Sequence, residues 1–230
     1  MKRETKETAA YYSVITGDII GSSSVYGKRK QLLFAMQKTF KELTLEFSAA
    51  IEKPFEIYRG DSFQAVIKQP GKALLISVLI RAKLRSLALT KSKTKTSGNK
   101  LDARVAIGIG KIGFNADKVI ESDGEAFNFS GKLLDEIKNS NQNLKIKTPW
   151  QDVNGELEVE CYFIDTIINK WTMEQAEAVY LKLLKNKTQQ MTAKKLKISQ
   201  PAVRKRIIGA NLKSIELFLK RFEKLLTLKI

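Results

Sequence analysis

Residues 55–67, FEIYRGDSFQAVI, decide the fold. Phe55 to Arg59 and Phe63 to Ile67 are β-prone pieces on either side of Gly60-Asp61-Ser62, whose turn chemistry predicts a tight antiparallel hairpin. Upstream, Tyr12 to Thr16 (YSVIT) is a short β-rich run that ends at Gly17-Asp18, where a change of chain direction is expected. Lys28 to Ile51 then places Leu32, Leu33, Met36, Phe40, Leu43, Phe47 and Ile51 at helical intervals, giving a helix with one buried stripe. Downstream, Pro70-Gly71 marks a break before Lys72 to Leu89, again helical in period, and Arg104 to Ile109 (RVAIGI) predicts a further buried strand. Between those two lies KSKTKTSGNK (91–100), which has no apolar side chain and is expected to be a surface loop dispensable to the fold. The order strand, helix, strand, strand, helix, strand is that of a split βαβ sheet, so the expected class is α+β with a ferredoxin-like βαββαβ domain.

Beyond the sheet, Glu125 to Lys138 predicts another helix, whereas the stretch from Trp150 to Ile168 fits strand and helix equally. From Trp171 the pattern is helical throughout: Met173 to Leu184, Thr192 to Leu196, Gln200 to Ile208 and Leu212 to Leu226. The second and third of these have the spacing of a helix-turn-helix, with Ser199 placed to cap the third and Pro201 in its first turn. The expected division is a first domain over 1–168 and an all-α helix-turn-helix domain over 169–230.

Composition narrows the chemistry. The chain has 230 residues, 43% of them hydrophobic, enough for a substantial core. One Cys and no His exclude an internal disulfide, a zinc site built on Cys and His, and every His-based triad or proton shuttle. No stretch approaches the roughly 18 apolar residues of a membrane span, and MKRETKETAA lacks the apolar core of a signal peptide. A cytoplasmic protein with no membrane partner is the expectation.

Charge is uneven. Residues 170–230 hold 15 Lys+Arg against 4 Asp+Glu and so carry most of the net +17. Such a density reads as a footprint for double-stranded DNA, with a basic helical bundle that mediates dimerisation as the rival. On the DNA reading Lys194, Lys195 and Lys197 contact phosphates, Gln200 and Arg204 stand near base edges, and Lys205 and Arg206 complete the basic cluster.

The sharpest candidate for chemistry is a pair of aspartates, Asp18 in GDIIGSS and Asp61 in RGDSF. A split βαβ sheet sets the end of its first strand beside the hairpin, which would bring both carboxylates to one place. Two such groups repel unless a cation lies between them, and hard oxygen ligands suit Mg²⁺ or Mn²⁺ bridging phosphate oxygens. The backbone N–H groups of Gly21, Ser22 and Ser23 could then hold phosphates, and Arg59 either pairs with Asp61 or touches a triphosphate. The plainer readings are a turn aspartate bonding its own backbone and serines that cap the long helix.

These segments resemble a known family in order along the chain. Asp18-Ile-Ile-Gly21 and Gly60-Asp61-Ser-Phe63 resemble the two metal loops of class III adenylyl and guanylyl cyclases, and Arg104-Val-Ala-Ile-Gly-Ile-Gly110 their next core strand. Gly124-Glu-Ala-Phe-Asn128-Phe-Ser-Gly-Lys132 resembles the cyclase helix that carries an Asn and, one turn on, a transition-state Arg. The resemblance implies a cyclase-like fold, bound Mg²⁺ or Mn²⁺, a nucleoside triphosphate, a homodimer with the site shared between chains, and catalytic roles for Asn128 and Lys132. Lys132 keeps the charge of the expected Arg without its bidentate fork. Ile57 stands where cyclases place the residue that reads the base, so base choice is not encoded in the usual way. Closer still, GDIIGSS, RGDSF and SDGEAFNFSGKLLD together with a C-terminal helix-turn-helix resemble the SatD family of bacterial proteins. Two functions follow as expectations: a DNA-binding transcriptional regulator with a metal-dependent nucleotide sensor, or an active nucleotidyl cyclase.

Overall fold

The hairpin forms as expected and sets the register of the whole sheet. The computed structural model describes residues 10–22, 27–58, 60–88, 101–114, 119, 122–185 and 188–230. The 91–100 segment, Ser23 and Arg59 lie outside the described residues. Strand β2 (Ile51–Tyr58) pairs antiparallel with β3 (Ser62–Ile67), and β3 with β1 (Tyr11–Ile20), which pairs antiparallel with β4 (Asp102–Phe114) on its other side. A two-residue β5 (Asp123–Gly124) and a short β6 (Leu144–Lys147) attach along β4, β6 in parallel.

Strand β1 corrects the reading of Gly17. It is no turn: β1 runs straight through it, and Asp18 lies within the strand, opposite Ser62 on one side and Arg104 on the other. The reason is packing. A Cβ on Gly17 would collide with the Phe63 ring and sit 2.6 Å from the Arg104 carbonyl oxygen, so this glycine makes room inside the sheet. The change of direction comes at Gly21, whose φ of 81° is the left-handed conformation that glycine adopts freely.

Helices cover both faces. On one side α1 (Arg29–Glu46) and α2 (Ala73–Arg85) pack on Ile15, Ile19, Phe63, Ala65, Ile67, Val105, Ile107 and Ile109. Helix α1 ends sooner than its apolar period suggests, because Ile51, the last residue of that stripe, opens β2. The opposite face receives α3 (Glu125–Lys138), laid close against β4. A Cβ at Gly108 would strike the Ala126 carbonyl oxygen and stand 2.6 Å from the Ser130 nitrogen, and one at Gly110 would stand 2.7 Å from Glu125 Oε2. The glycines of the RVAIGIG strand are thus the seat of α3.

The stretch that fits either element is a helix, α4 (Gln151–Asn169), which buries Val153, Leu157, Cys161, Ile164 and Ile168. After it come α5 (Met173–Leu184), α6 (Gln189–Leu196), α7 (Gln200–Gly209) and α8 (Leu212–Thr227). Helix α5 opens with a reciprocal capping box between Thr172 and Gln175, and α6 is capped by Thr188, so it begins before Thr192. Trp171, Val179, Ile215 and Phe222 belong to the same apolar cluster as Ile15 and Phe63, so the C-terminal helices share the core of the sheet. Arg221 pairs with Glu156, and Lys72 with Glu223 at 2.7 Å, fastening α8 to α4 and to the turn before α2. Among the described residues no helix is long and apolar enough to cross a membrane.

Under α2 lies a buried ionic cluster that composition alone does not announce. Arg81, fully buried, donates through Nε and Nη2 to Asp102 at 2.9 Å, through Nη1 to Asp165 at 2.5 Å, and through Nη2 to Asn169 Oδ1 at 2.7 Å. Arg85 adds a 2.7 Å bond to Asp102 and reaches the backbone carbonyls of Asn169 and Trp171. The second Asp165 oxygen accepts from the Asn143 N–H at 2.6 Å. Helix α2, strand β4, helix α4 and the start of the C-terminal helices therefore meet at one set of charges.

Candidate metal and nucleotide site

Strand alternation puts Asp18 on the α3 face of the sheet, the side that also carries Thr16. There Gln64 Nε2 donates to Thr16 Oγ1 at 2.9 Å, Thr16 Oγ1 donates to Ser130 Oγ at 2.9 Å, and Ser130 Oγ donates to the Phe127 carbonyl at 3.0 Å. This polar ladder ties the strand to α3 one step before Asp18. Asp61 sits at the mouth of β3 on the neighbouring chain segment, and its carbonyl accepts from the Ile19 N–H at 3.1 Å. The backbone sets the two segments side by side: Asp18 is paired with Ser62, and Asp61 immediately precedes Ser62.

The two carboxylates are held differently. Asp18 Oδ2 accepts from Arg104 Nη1 at 3.2 Å, with Asp18 15% and Arg104 30% exposed. Its other oxygen is buried with no hydrogen-bond partner among the described residues. Burying a carboxylate oxygen unpaired costs free energy, so Oδ1 is an acceptor in want of a cation or donor. Asp61 Oδ2 accepts from the Ser22 hydroxyl at 3.0 Å. These oxygens suit a hard divalent cation. No group of three or more acidic, His or Cys side chains that could hold a metal gathers among the described residues, so two carboxylates would leave most of an octahedral shell to phosphate oxygens and water.

Other expected site residues fall into place unevenly. Ser22 does not cap α1, which begins at Arg29 behind Lys28; its hydroxyl orients Asp61 instead. Asn128 and Lys132 are exposed, on the outer face of α3, opposite the buried Ala126, Ser130, Leu133 and Ile137. Asn128 Nδ2 donates to the Gly124 carbonyl at 3.1 Å, and Lys132 borders a cleft of about 340 Å³ with Phe129, Lys145 and Asn154. Cys161, also on that cleft, is buried, and burial pushes its thiol well above the usual range, so it is unreactive.

In the C-terminal helices, Lys197 closes α6 with a left-handed φ of 53°, and Ser199 Oγ accepts from the Ala202 N–H at 3.3 Å, capping α7. Lys194, Lys195, Lys197, Gln200, Arg204 and Lys205 are exposed. Arg206 differs: it is half-buried and turned toward Glu177 on α5, 3.8 Å away. The motif reading passed over two arginines of this region: Arg104 pairs with Asp18, and the Arg29 guanidinium lies against Gly60, the residue before Asp61. Only the strand register reveals the first and only the tertiary contact the second.

Two solved structures of a bacterial light-regulated adenylyl cyclase superpose with TM-scores of 0.38 and 0.39 at 17% identity, covering 60% of this chain. The match spans less than half of those chains, 43% and 42%. A superposition this slight carries no argument about activity. No curated protein matches the sequence. The SatD family profile, by contrast, matches residues 11–226, nearly the whole chain from β1 through α8, and the protein therefore belongs to the SatD family.

Proposed function

We propose that the protein binds a nucleoside triphosphate with Mg²⁺ or Mn²⁺ across the tips of β1 and β3 and is built as a nucleotidyl cyclase on a ferredoxin-like core. The observation that carries this reading is the buried Asp18 Oδ1, without a hydrogen-bond partner among the described residues and one strand from Asp61, whose own carboxylate is oriented by Ser22. A divalent cation held there would neutralise phosphate charge and polarise the ribose hydroxyl. When the cation takes Asp18, Arg104 is released from its ion pair and can meet a phosphate oxygen instead. Gly21 and Ser22 line the same turn. Asn128 and Lys132 are exposed on α3, and in this reading they serve the aspartates of a second copy in a homodimer.

In the reaction of this reading the ribose 3′-hydroxyl attacks the α-phosphorus, the bond to the β-phosphate oxygen breaks, and pyrophosphate leaves as the ring closes. The test is incubation with Mn²⁺ and each of the four nucleoside triphosphates, followed by separation of the products. A cyclic nucleotide and equimolar pyrophosphate are expected from one of them. Asp61→Asn should abolish metal-dependent nucleotide binding while leaving the melting temperature within a few degrees. Unchanged binding in Asp61→Asn sinks the site.

A second reading concerns the helices over 169–230, and a specific observation favours it. The exposed Lys194, Lys195, Lys197, Arg204 and Lys205 have no ion-pair partner among the described residues, and the cap and left-handed residue between α6 and α7 suit a helix-turn-helix. In this reading α7 enters the major groove of duplex DNA. Arg204→Ala should cost about 1–3 kcal/mol at a specific site, while loss of Lys195 should weaken all sequences alike and lower the salt slope by about one unit. Fluorescence anisotropy of the whole chain with duplex DNA at several salt concentrations measures both, and no binding even at low salt removes this reading.

A further inference from the structure

Arg29, the first residue of α1, lies against the backbone of the hairpin turn. A Cβ built on Gly60 would run into the Arg29 guanidinium, so the positively charged tip rests on the residue directly before Asp61. Gly60 also has a φ of 84°, so glycine serves there both for the turn and for the room the arginine needs. Arg29 is exposed and makes no hydrogen bond or ion pair among the described residues. Asp61 is engaged by Ser22 and Asp18 by Arg104. A guanidinium lying on the residue before Asp61, with no carboxylate paired to it among the described residues, is an unclaimed donor fork.

We propose that Arg29 grips a phosphate of the polyphosphate chain whose other oxygens complete the shell of the cation on Asp18 and Asp61. This rests on the metal-nucleotide reading and assigns to that site an anion-binding residue supplied by α1. The chemistry selects the ligand. A divalent cation on two carboxylates keeps open positions where phosphate oxygens can replace water, and a planar fork at the neighbouring turn residue matches the paired oxygens of a phosphate. An anion that satisfies both must reach from the metal to the fork, which a chain of linked phosphates does.

The test uses the full-length protein with Mn²⁺ alone and with Mn²⁺ plus inorganic tripolyphosphate, so that the unknown base plays no part. Bound Mn²⁺ is read from the loss of the free-ion paramagnetic resonance signal, and tripolyphosphate by calorimetry. Arg29→Ala should bind Mn²⁺ alone as the wild type does but take up Mn²⁺-tripolyphosphate at least about tenfold more weakly, the scale of one lost charged hydrogen bond. Arg29→Lys should recover part of that loss. If Arg29→Ala binds Mn²⁺-tripolyphosphate like the wild type while Asp61→Asn does not, the proposal falls and the metal reading stands. An equal loss of Mn²⁺ alone in Arg29→Ala would show a structural role and also overturn it. A wild-type protein that takes up neither ligand, or an Asp61→Asn variant that binds both normally, defeats the metal reading and this proposal together.

Discussion

Arg81→Ala is expected to be the most damaging single substitution in the protein, with a loss of about 3–5 kcal/mol or outright failure to fold, because it strips a buried charge cluster of its centre. Arg81 has no exposed surface, and its guanidinium satisfies Asp102, Asp165 and Asn169 at once. Its removal leaves Asp165 buried with a single backbone donor and leaves Asp102 to Arg85 and the Ala103 N–H. Arg81→Met keeps the stem packing and isolates the electrostatic share. Both are measured by the midpoint of urea unfolding. A loss under about 1 kcal/mol would mean that water enters and solvates the orphaned carboxylates, since the unpaired burial of such groups is otherwise costly.

The same cluster sets an acid limit. Burial by itself raises the Asp102 carboxyl, yet the Arg81 and Arg85 guanidinium groups and the Ala103 N–H outweigh it and hold the group below the ordinary carboxylate range. A carboxylate with a lower folded than unfolded pKa contributes its full stability above the unfolded value, about pH 4, and loses it as pH falls through the folded value. Stability should therefore be level toward neutral pH as far as this group is concerned and fall below about pH 4, and Asp102→Asn should flatten that fall.

Trp171→Ala comes next, at about 3–5 kcal/mol for deletion of a fully buried indole. Trp171 is 1% exposed, donates its Nε1–H to the Ala210 carbonyl at 2.9 Å, and offers its own carbonyl to Arg85. It thereby joins the segment between α4 and α5 to the one between α7 and α8. Trp171→Phe preserves most of the volume but leaves the Ala210 oxygen without its donor, so a smaller cost of about 1–2 kcal/mol separates the hydrogen bond from the packing. Equal losses for the two variants would assign the whole effect to the hydrogen bond.

Local signals in the sequence located most of the elements. Helices α3 and α5 begin and end where their apolar periods and turn residues place them, because one face of each is buried and the other is wet. Helix α4 escaped that logic. Val159, Tyr162 and Phe163 are more than half exposed opposite its buried stripe, so its apolar residues surround the axis and the period is blurred. Gly17 misled for a different reason: a glycine that admits an aromatic ring from the next strand has the same letter as one that turns the chain. Asp18 and Asp61 were found as motifs, whereas Arg104 required the register of two strands and Arg29 the contact of a helix with a turn. The Arg81 cluster draws on four separate elements, and no local pattern records such a meeting.

The shared core has a consequence for how the two ends of the molecule can evolve and communicate. Between Asn169, the last residue of α4, and Met173, the first of α5, stand Lys170, Trp171 and Thr172; Trp171 is buried and Thr172 is committed to the capping box. Among the described residues, that leaves no tether between α4 and α5. They cannot be lifted out and grafted elsewhere as a cassette without tearing the indole from its seat. A disturbance at the Trp171 seat would instead be felt at once in α2, through Arg85, and at the junction of α7 and α8, through Ala210.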